Sequence, residues 1–200
     1  IPHDRAGVRV DRFVEGLEVM KRCFADGAFD FRGAHYTITG YNGLPKTVQK
    51  PYPPILIGGG GRRVLGIAAR EADIIGINGT MESGTIDAAV LRTMTADSVD
   101  EKVRIVIDAA GARLGDIEMN VRAFMVKVTD QRLQDMNRLA DAVGYTADEV
   151  AGSPFVLYGT PEQIVDDLRA RRERWGFSYI IVGAGDVESF APVVATLAGT

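Results

Sequence analysis

The sequence predicts an α/β protein built on a parallel sheet covered by helices, with about four strand-helix units of a (β/α)8 barrel present. Three observations carry this reading. From residue 55 onward, short apolar runs of strand length alternate with stretches of helical periodicity. The run at 55–57 passes through four consecutive glycines directly into a helix. The 200 residues hold four such strands, whereas a closed barrel takes eight strands and about 250 residues. The other four strands are therefore expected to lie outside this chain, with a natural half-barrel that pairs with another chain as the alternative.

Each element follows from its own pattern. Residues 10–25 read as a helix, because Phe13, Leu17, Met20 and Phe24 recur at helical spacing and Gly27 follows. Residues 29–39 alternate about Arg32-Gly33 and read as a small hairpin carrying Phe31, Tyr36 and Ile38. The proline-punctuated stretch 46–54 is extended and leads into Ile55, Leu56 and Ile57, an apolar run suited to a strand buried on both faces. Past the glycines, Val64, Leu65, Ala68 and Ala69 give a helix its packing face, and residues 72–77 form the second strand. A capping box from Ser98 to Glu101 opens a helix with Val99, Val103, Val106, Ala110 and Leu114 on one side.

Residues 118–128 read as one long strand. A helix at 131–143 and a short one capped by Thr146 and Glu149 make an inserted helical segment near 131–157, within a single domain over 1–200. Thr160, Pro161 and Gln163 start the next main helix, which turns Ile164, Leu168 and Trp175 inward. Residues 179–182 are the last strand and 187–197 the last helix.

The glycine turn is the chemically informative element. Gly58, Gly59, Gly60 and Gly61 remove every β-carbon from the turn, so backbone can approach a ligand and take positive φ where required. Arg62 and Arg63 then open a helix whose first N–H groups lack intrahelical partners. Partial positive charge and two guanidinium groups favour a phosphate. The spacing excludes two familiar phosphate loops: G-x-G-x-x-G fails from either Gly58 or Gly59, and no Gly-Lys-Ser or Gly-Lys-Thr follows. Gly76, Ile77 and Asn78 end the next strand, so this second loop is expected at the same sheet edge and forms a second wall for one cofactor. Asn78 and Thr80 fit ordinary turn chemistry as well as ligand contact.

Composition narrows the function further. A net charge of −4 with 25% charged residues points away from nucleic acid, and the cluster Arg169, Arg171, Arg172 and Arg174 is interleaved with acids, as on a solvated helix face. Lys127, Arg122 and Gly183 lie on or just after strands, where a solvated or helix-paired surface role is favoured. No apolar run reaches the roughly 18 residues that would span a bilayer. Cys23, the single cysteine, sits on an apolar helix face and reads as a buried, inert thiol. Neither His3 nor His35 has a partner at metal-ligand spacing, so no metal site is expected.

Four segments resemble, in order and spacing, the luciferase-like monooxygenase superfamily, whose members use flavin or the deazaflavin F420. They are VRVDRFVEGLEVMKRCF (8–24), FDFRGAHYTITG (29–40), LPKTVQKPYPPILIGGGG (44–61) and YGTPEQIVDDLRARRERWGFSYIIVG (158–183), together most of the chain. The resemblance implies the carboxy-terminal part of a bacterial-luciferase-like TIM barrel, with the glycine turn on the cofactor phosphate. The Gly-Gly-Gly-Gly-Arg-Arg form looks most like the F420-dependent branch. It implies an oxidoreductase, a homodimer, that transfers hydride between F420 and a small organic substrate; a cytoplasmic location is expected separately, as the default where no signal peptide is visible. FMN is the alternative cofactor, and a noncatalytic phosphate-ligand or subunit module the alternative of another class. A different phosphate-binding barrel enzyme, such as an aldolase or isomerase, also stays open, because fold alone does not fix function. The family's proton-handling groups commonly lie in the other barrel half. No residue here is therefore assigned a catalytic role, and the chain alone is expected to be inactive. Substrate selectivity is expected in the stretches 81–94 and 131–154.

Overall fold

The computed structural model of the protein describes residues 4–81 and 88–199. Tertiary contacts divide the chain into two compact units, Ile1–Ile55 and Leu56–Thr200.

The first unit holds helix α1 (Ala6–Phe24) and an antiparallel hairpin of β1 (Phe29–Arg32) and β2 (Thr37–Tyr41). One carboxylate ties them together. Glu15 of α1 accepts the backbone N–H groups of Ala34 at 2.8 Å, His35 at 2.9 Å and Tyr36 at 3.2 Å, which closes the hairpin turn onto the helix. The His35 N–H above all holds this carboxyl below its ordinary pKa. A carboxyl lowered in the folded state stabilises at pH above its unfolded value, and that stabilisation disappears as pH falls through the folded value. Protection of the three turn amides against hydrogen exchange is therefore expected to drop in acid, and Glu15→Gln to remove the drop. A wild-type protection profile flat through the acid range would refute this. Lys46 closes the other end of α1 by donating to the carbonyls of Cys23 and Ala25, a cation at a helix C-terminus. Cys23 is half-buried rather than sealed in a core.

The second unit carries a four-stranded parallel sheet in the order β3 (Leu56–Gly59), β4 (Ile74–Ile77), β5 (Glu118–Arg122), β8 (Phe177–Ile181). Register separates its two faces. Ile57, Ile75, Met119 and Phe177 pair in one row and are all buried, whereas the neighbouring row begins with Leu56, 43% exposed. The expectation that residues 55–57 are buried on both faces thus fails at Leu56, because helices cover only the Ile57 side.

Helix α2 (Arg62–Glu71) buries Leu65, Ala68 and Ala69 and packs on α4 (Ala96–Ala110), which buries Val99, Val103 and Val106. Between β4 and α4 lies a short helix, α3 (Ala88–Arg92), within the 81–94 stretch expected to set selectivity. Helix α4 also starts earlier than its Ser98 capping box suggested. Thr95 is the N-cap, accepting from the Ser98 N–H, so Ser98 sits inside the first turn. Leu114 leaves the helical face, since residues 111–116 tighten into a 3₁₀ turn in which it is 37% exposed.

The long strand at 118–128 is two strands in two sheets. Ala123 N–H still donates to Ile181 of β8, but the next two amides, Phe124 and Met125, donate to Phe155. The chain thereby leaves the main sheet and enters β6 (Met125–Val128), which pairs in parallel with β7 (Val156–Gly159). Strand β7, buried at all four positions, was not separated from the helical segment in the sequence reading. Helices α5 (Arg132–Val143) and α6 (Ala147–Gly152) cross between the two strands, the second with the capping box of Thr146 and Glu149. Met136, Ala140, Val150, Val156 and Tyr158 form the core of this excursion. Lys127 is helix-paired as expected, on Asp135 of α5 at 2.7 Å.

Helix α7 (Pro161–Trp175), with its Thr160 and Gln163 capping box, and α8 (Val187–Leu197) cover the sheet over a core that includes Leu157, Ile164, Leu168 and Phe190. The basic cluster on α7 is not a uniformly solvated face. Arg171 is buried and donates to the carbonyls of Pro154 at 3.3 Å and Val156 at 2.8 Å. Arg174 makes a two-bond pair with Asp100, which also accepts from the Trp175 indole at 2.6 Å. Among the described residues no helix is long and apolar enough to cross a membrane.

Candidate functional site

In a parallel α/β sheet, ligands bind beyond the carboxyl ends of the strands. Four of the expected site residues sit differently from a simple turn. Gly58 and Gly59 belong to β3, paired with Gly76 and Ile77 of β4, so only Gly60 and Gly61 link strand to helix. None of the four consecutive glycines has positive φ; Gly61, the N-cap of α2, has φ −85°. Their glycine character answers to space instead. A β-carbon on Gly59 would stand 2.6 Å from Val64 Cγ1, and one on Gly60 2.5 Å from the Asn78 carbonyl oxygen and closer still to that of Gly79. At Gly61 a β-carbon would meet nothing within 4 Å among the described residues.

The second loop lies directly against the first. Asn78 N–H donates to the Gly59 carbonyl at 2.9 Å, and the Thr80 hydroxyl donates to the Gly60 carbonyl at 3.0 Å. Thr93 then fixes Thr80 by accepting its N–H at 2.7 Å. The Asn78 side chain lies over Gly58, 3.7 Å from where a β-carbon would be. Two glycines, Gly58 and Gly76, and then Asn120 and Tyr179 follow one another across the sheet, so half of this row carries no side chain. Ile77 is 1% exposed, in register with buried Val121, which leaves only its backbone for the mouth. Thr80 acts as turn chemistry; Asn78 does so through its backbone while its side chain faces the glycines.

The electrostatics of this corner suit an anion. Helix α2 has no side-chain cap and no acid in its first turn, and Arg62 and Arg63 are exposed there. By contrast α4, α6 and α7 each have a Thr cap and an acid at the same place. The far end of α2 is closed by Arg113, which donates to the carbonyls of Ala69 at 2.8 Å and Ala72 at 3.0 Å. Among the described residues no side chain caps this end of α2, and a helix N-terminus with an exposed Arg62 beside it is an environment that favours anions.

Sequence reasoning missed a cavity of about 510 Å3 that begins at Asn78 and Gly79. Its walls come from Met81, Leu91 and Met94, from Phe124 and Met125 after β5, and from Leu139 and Val143 of α5. Both stretches expected to set selectivity therefore meet here, although residues 82–87 lie outside the described residues. No local pattern announces such a cavity, because its walls are brought together only by the excursion through β6, α5, α6 and β7. Arg122, at the end of β5, also lines it. On the α3–α4 side, buried Lys102 donates to the Thr93 carbonyl, and burial brings its pKa down to about 8.

His35 lies in the hairpin turn of the first unit, and His3 falls outside the described residues. Gly183 precedes a 3₁₀ turn at 184–186. Among the described residues no three His, Cys, Asp or Glu side chains gather as a metal cluster.

Comparison with known proteins places this arrangement. Residues 4–179 match the family model for luciferase-like monooxygenases. An FMNH2-dependent dimethylsulfone monooxygenase of Pseudomonas putida is 31% identical over 84 residues, 42% of this chain and 22% of its own. A monooxygenase from Streptomyces bottropensis superposes with a TM-score of 0.66 at 20% identity, over 99% of this chain and 62% of its own. An F420-dependent secondary alcohol dehydrogenase gives a TM-score of 0.69 at 13% identity, over 98% of this chain and 63% of its own. The chain thus spans less than two thirds of each relative, and its similarity reaches both flavin-dependent and F420-dependent enzymes. The α/β architecture, the order of its elements and the match over 4–179 agree: the chain belongs to the luciferase-like monooxygenase family.

Proposed function

We propose that the chain binds coenzyme F420 through its phosphate at the glycine turn and serves an oxidoreductase that transfers hydride between the deazaflavin and a small organic substrate. The observation that carries this is the uncapped, acid-free start of α2 behind an open glycine link, braced by the 78–80 loop. Backbone N–H groups at Gly61 and Arg62 would hold the phosphate, with Arg62 or Arg63 as counter-charge. Gly58 and Gly76 would leave space on the sheet for the cofactor, and Asn78 would form a second wall beside it. When bound, the deazaflavin supplies a ring carbon that gives or accepts hydride; the protein positions substrate and excludes water. The chain would act in the cytoplasm as part of a homodimer.

FMN is the second reading, favoured by the curated relative named as FMNH2-dependent. Titrating the chain with F420, FMN and riboflavin separates the readings. F420 is expected to bind most tightly, and riboflavin, which lacks the phosphate, hardly at all. Tight binding of FMN alone would replace F420 with flavin, and equal binding of riboflavin and FMN would remove the phosphate site.

A further inference from the structure

We propose that the cavity beside the Asn78–Gly79 loop is the chamber for a largely apolar small molecule carrying one hydrogen-bond-accepting head group, which Arg122 receives. This rests on the cofactor reading in one respect, that the reacting end of the substrate faces the glycine corner.

At about 510 Å3 the cavity is of small-molecule size. Phe124 and Phe155 stack with ring centroids 6.0 Å apart and give it an aromatic wall. Met81 and Met125, 48% and 41% exposed, and Met94 add adaptable thioethers. Three polar side chains on the wall, Ser153, Thr95 and Glu149, are already engaged. The Ser153 hydroxyl donates to the Met94 carbonyl and accepts from Phe155 N–H. Thr95 caps α4, and the Glu149 carboxylate accepts both the N–H and the hydroxyl of Thr146. The Tyr145 hydroxyl, also on the wall, is buried and has no hydrogen-bond partner among the described residues.

Arg122 differs from these. It is exposed at the end of β5 with its guanidinium carbon 5.3 Å from the Phe124 ring centroid, and among the described residues no carboxylate pairs with it. A guanidinium held against an aromatic wall presents its donors to a carboxylate or carbonyl, most strongly to a carboxylate. The apolar remainder selects against polyanions, whose further charges would be desolvated without partners.

Calorimetric titration of the full chain with 2-naphthoate, 2-acetylnaphthalene and citrate tests this. 2-Naphthoate is expected to bind and citrate not to. Arg122→Met should weaken 2-naphthoate about tenfold and the ketone about threefold. Met125→Trp, a change at an exposed position on the wall, should weaken both by filling the chamber. Citrate binding as tightly as 2-naphthoate, or a 2-naphthoate affinity unmoved by either substitution, overturns the proposal. F420 and FMN titrated alongside keep the readings apart: their failure with 2-naphthoate still bound removes the cofactor site alone, and the reverse result removes the chamber alone.

Discussion

Arg171→Met is expected to destabilise the second unit by about 2–4 kcal/mol, read as a lowered midpoint in urea. Arg171 is 6% exposed, and its two bonds to the Pro154 and Val156 carbonyls fasten α7 to the start of β7. Burial brings its pKa down to about 10, so it remains a cation at neutral pH. Relief of that buried charge offsets part of the loss in the variant. Two carbonyls left without their donor cost more, because hydrogen bonds to a charged group contribute about 1.5–3 kcal/mol each. Arg171→Lys, which reaches fewer acceptors, should fall between. A methionine variant as stable as the wild type would mean that β7 is held by its ladder and core alone.

Gly60→Ala is expected to cost about 1–3 kcal/mol and to abolish cofactor binding. The obstacle is backbone rather than a flexible side chain: the added carbon would stand 2.5 Å from the Asn78 carbonyl oxygen and 2.6 Å from the Gly79 carbonyl carbon. Relief would require the 78–80 loop to retreat, breaking the Asn78 bond to Gly59 and the Thr80 bond to Gly60. Both walls of the proposed phosphate corner would then separate. Thermal unfolding and F420 titration of the same sample check the two effects, and a normal melting temperature would show that the loops are not interlocked.

Several signals with a local cause match the structure, whereas the capping box expected from Ser98 does not. The caps at Thr146 and Thr160, the hairpin about Arg32-Gly33 and the helical spacing of Leu65, Ala68 and Ala69 each depend on neighbours within a few residues. The division of residues 118–128 did not show, because Met119, Val121, Val126 and Val128 keep strand-like residues coming while the hydrogen-bond partner changes from Ile181 to Phe155. Strand β7 did carry a signal, the apolar run Phe155, Val156, Leu157 and Tyr158, but it sits close to α6 and was absorbed into the helical segment. At the four glycines the physical reason differs from the positive φ expected of them. They give close approach of two loops and an open link, with no left-handed backbone among them. Arg171 looked solvated from its charged neighbours, since only tertiary packing shows which side of a helix is covered.

Gly61→Asp tests the phosphate site most directly. At φ −85° and ψ 144°, with nothing among the described residues within 4 Å of an added β-carbon, the position accepts a side chain, and aspartate is a favoured N-cap. The substitution should therefore hold or raise stability by about 0.5–1 kcal/mol while placing a carboxylate where the phosphate would lie. The account predicts a melting temperature at or above that of the wild type together with at least tenfold weaker binding of F420 and FMN. Unchanged cofactor affinity in a folded Gly61→Asp protein would contradict it.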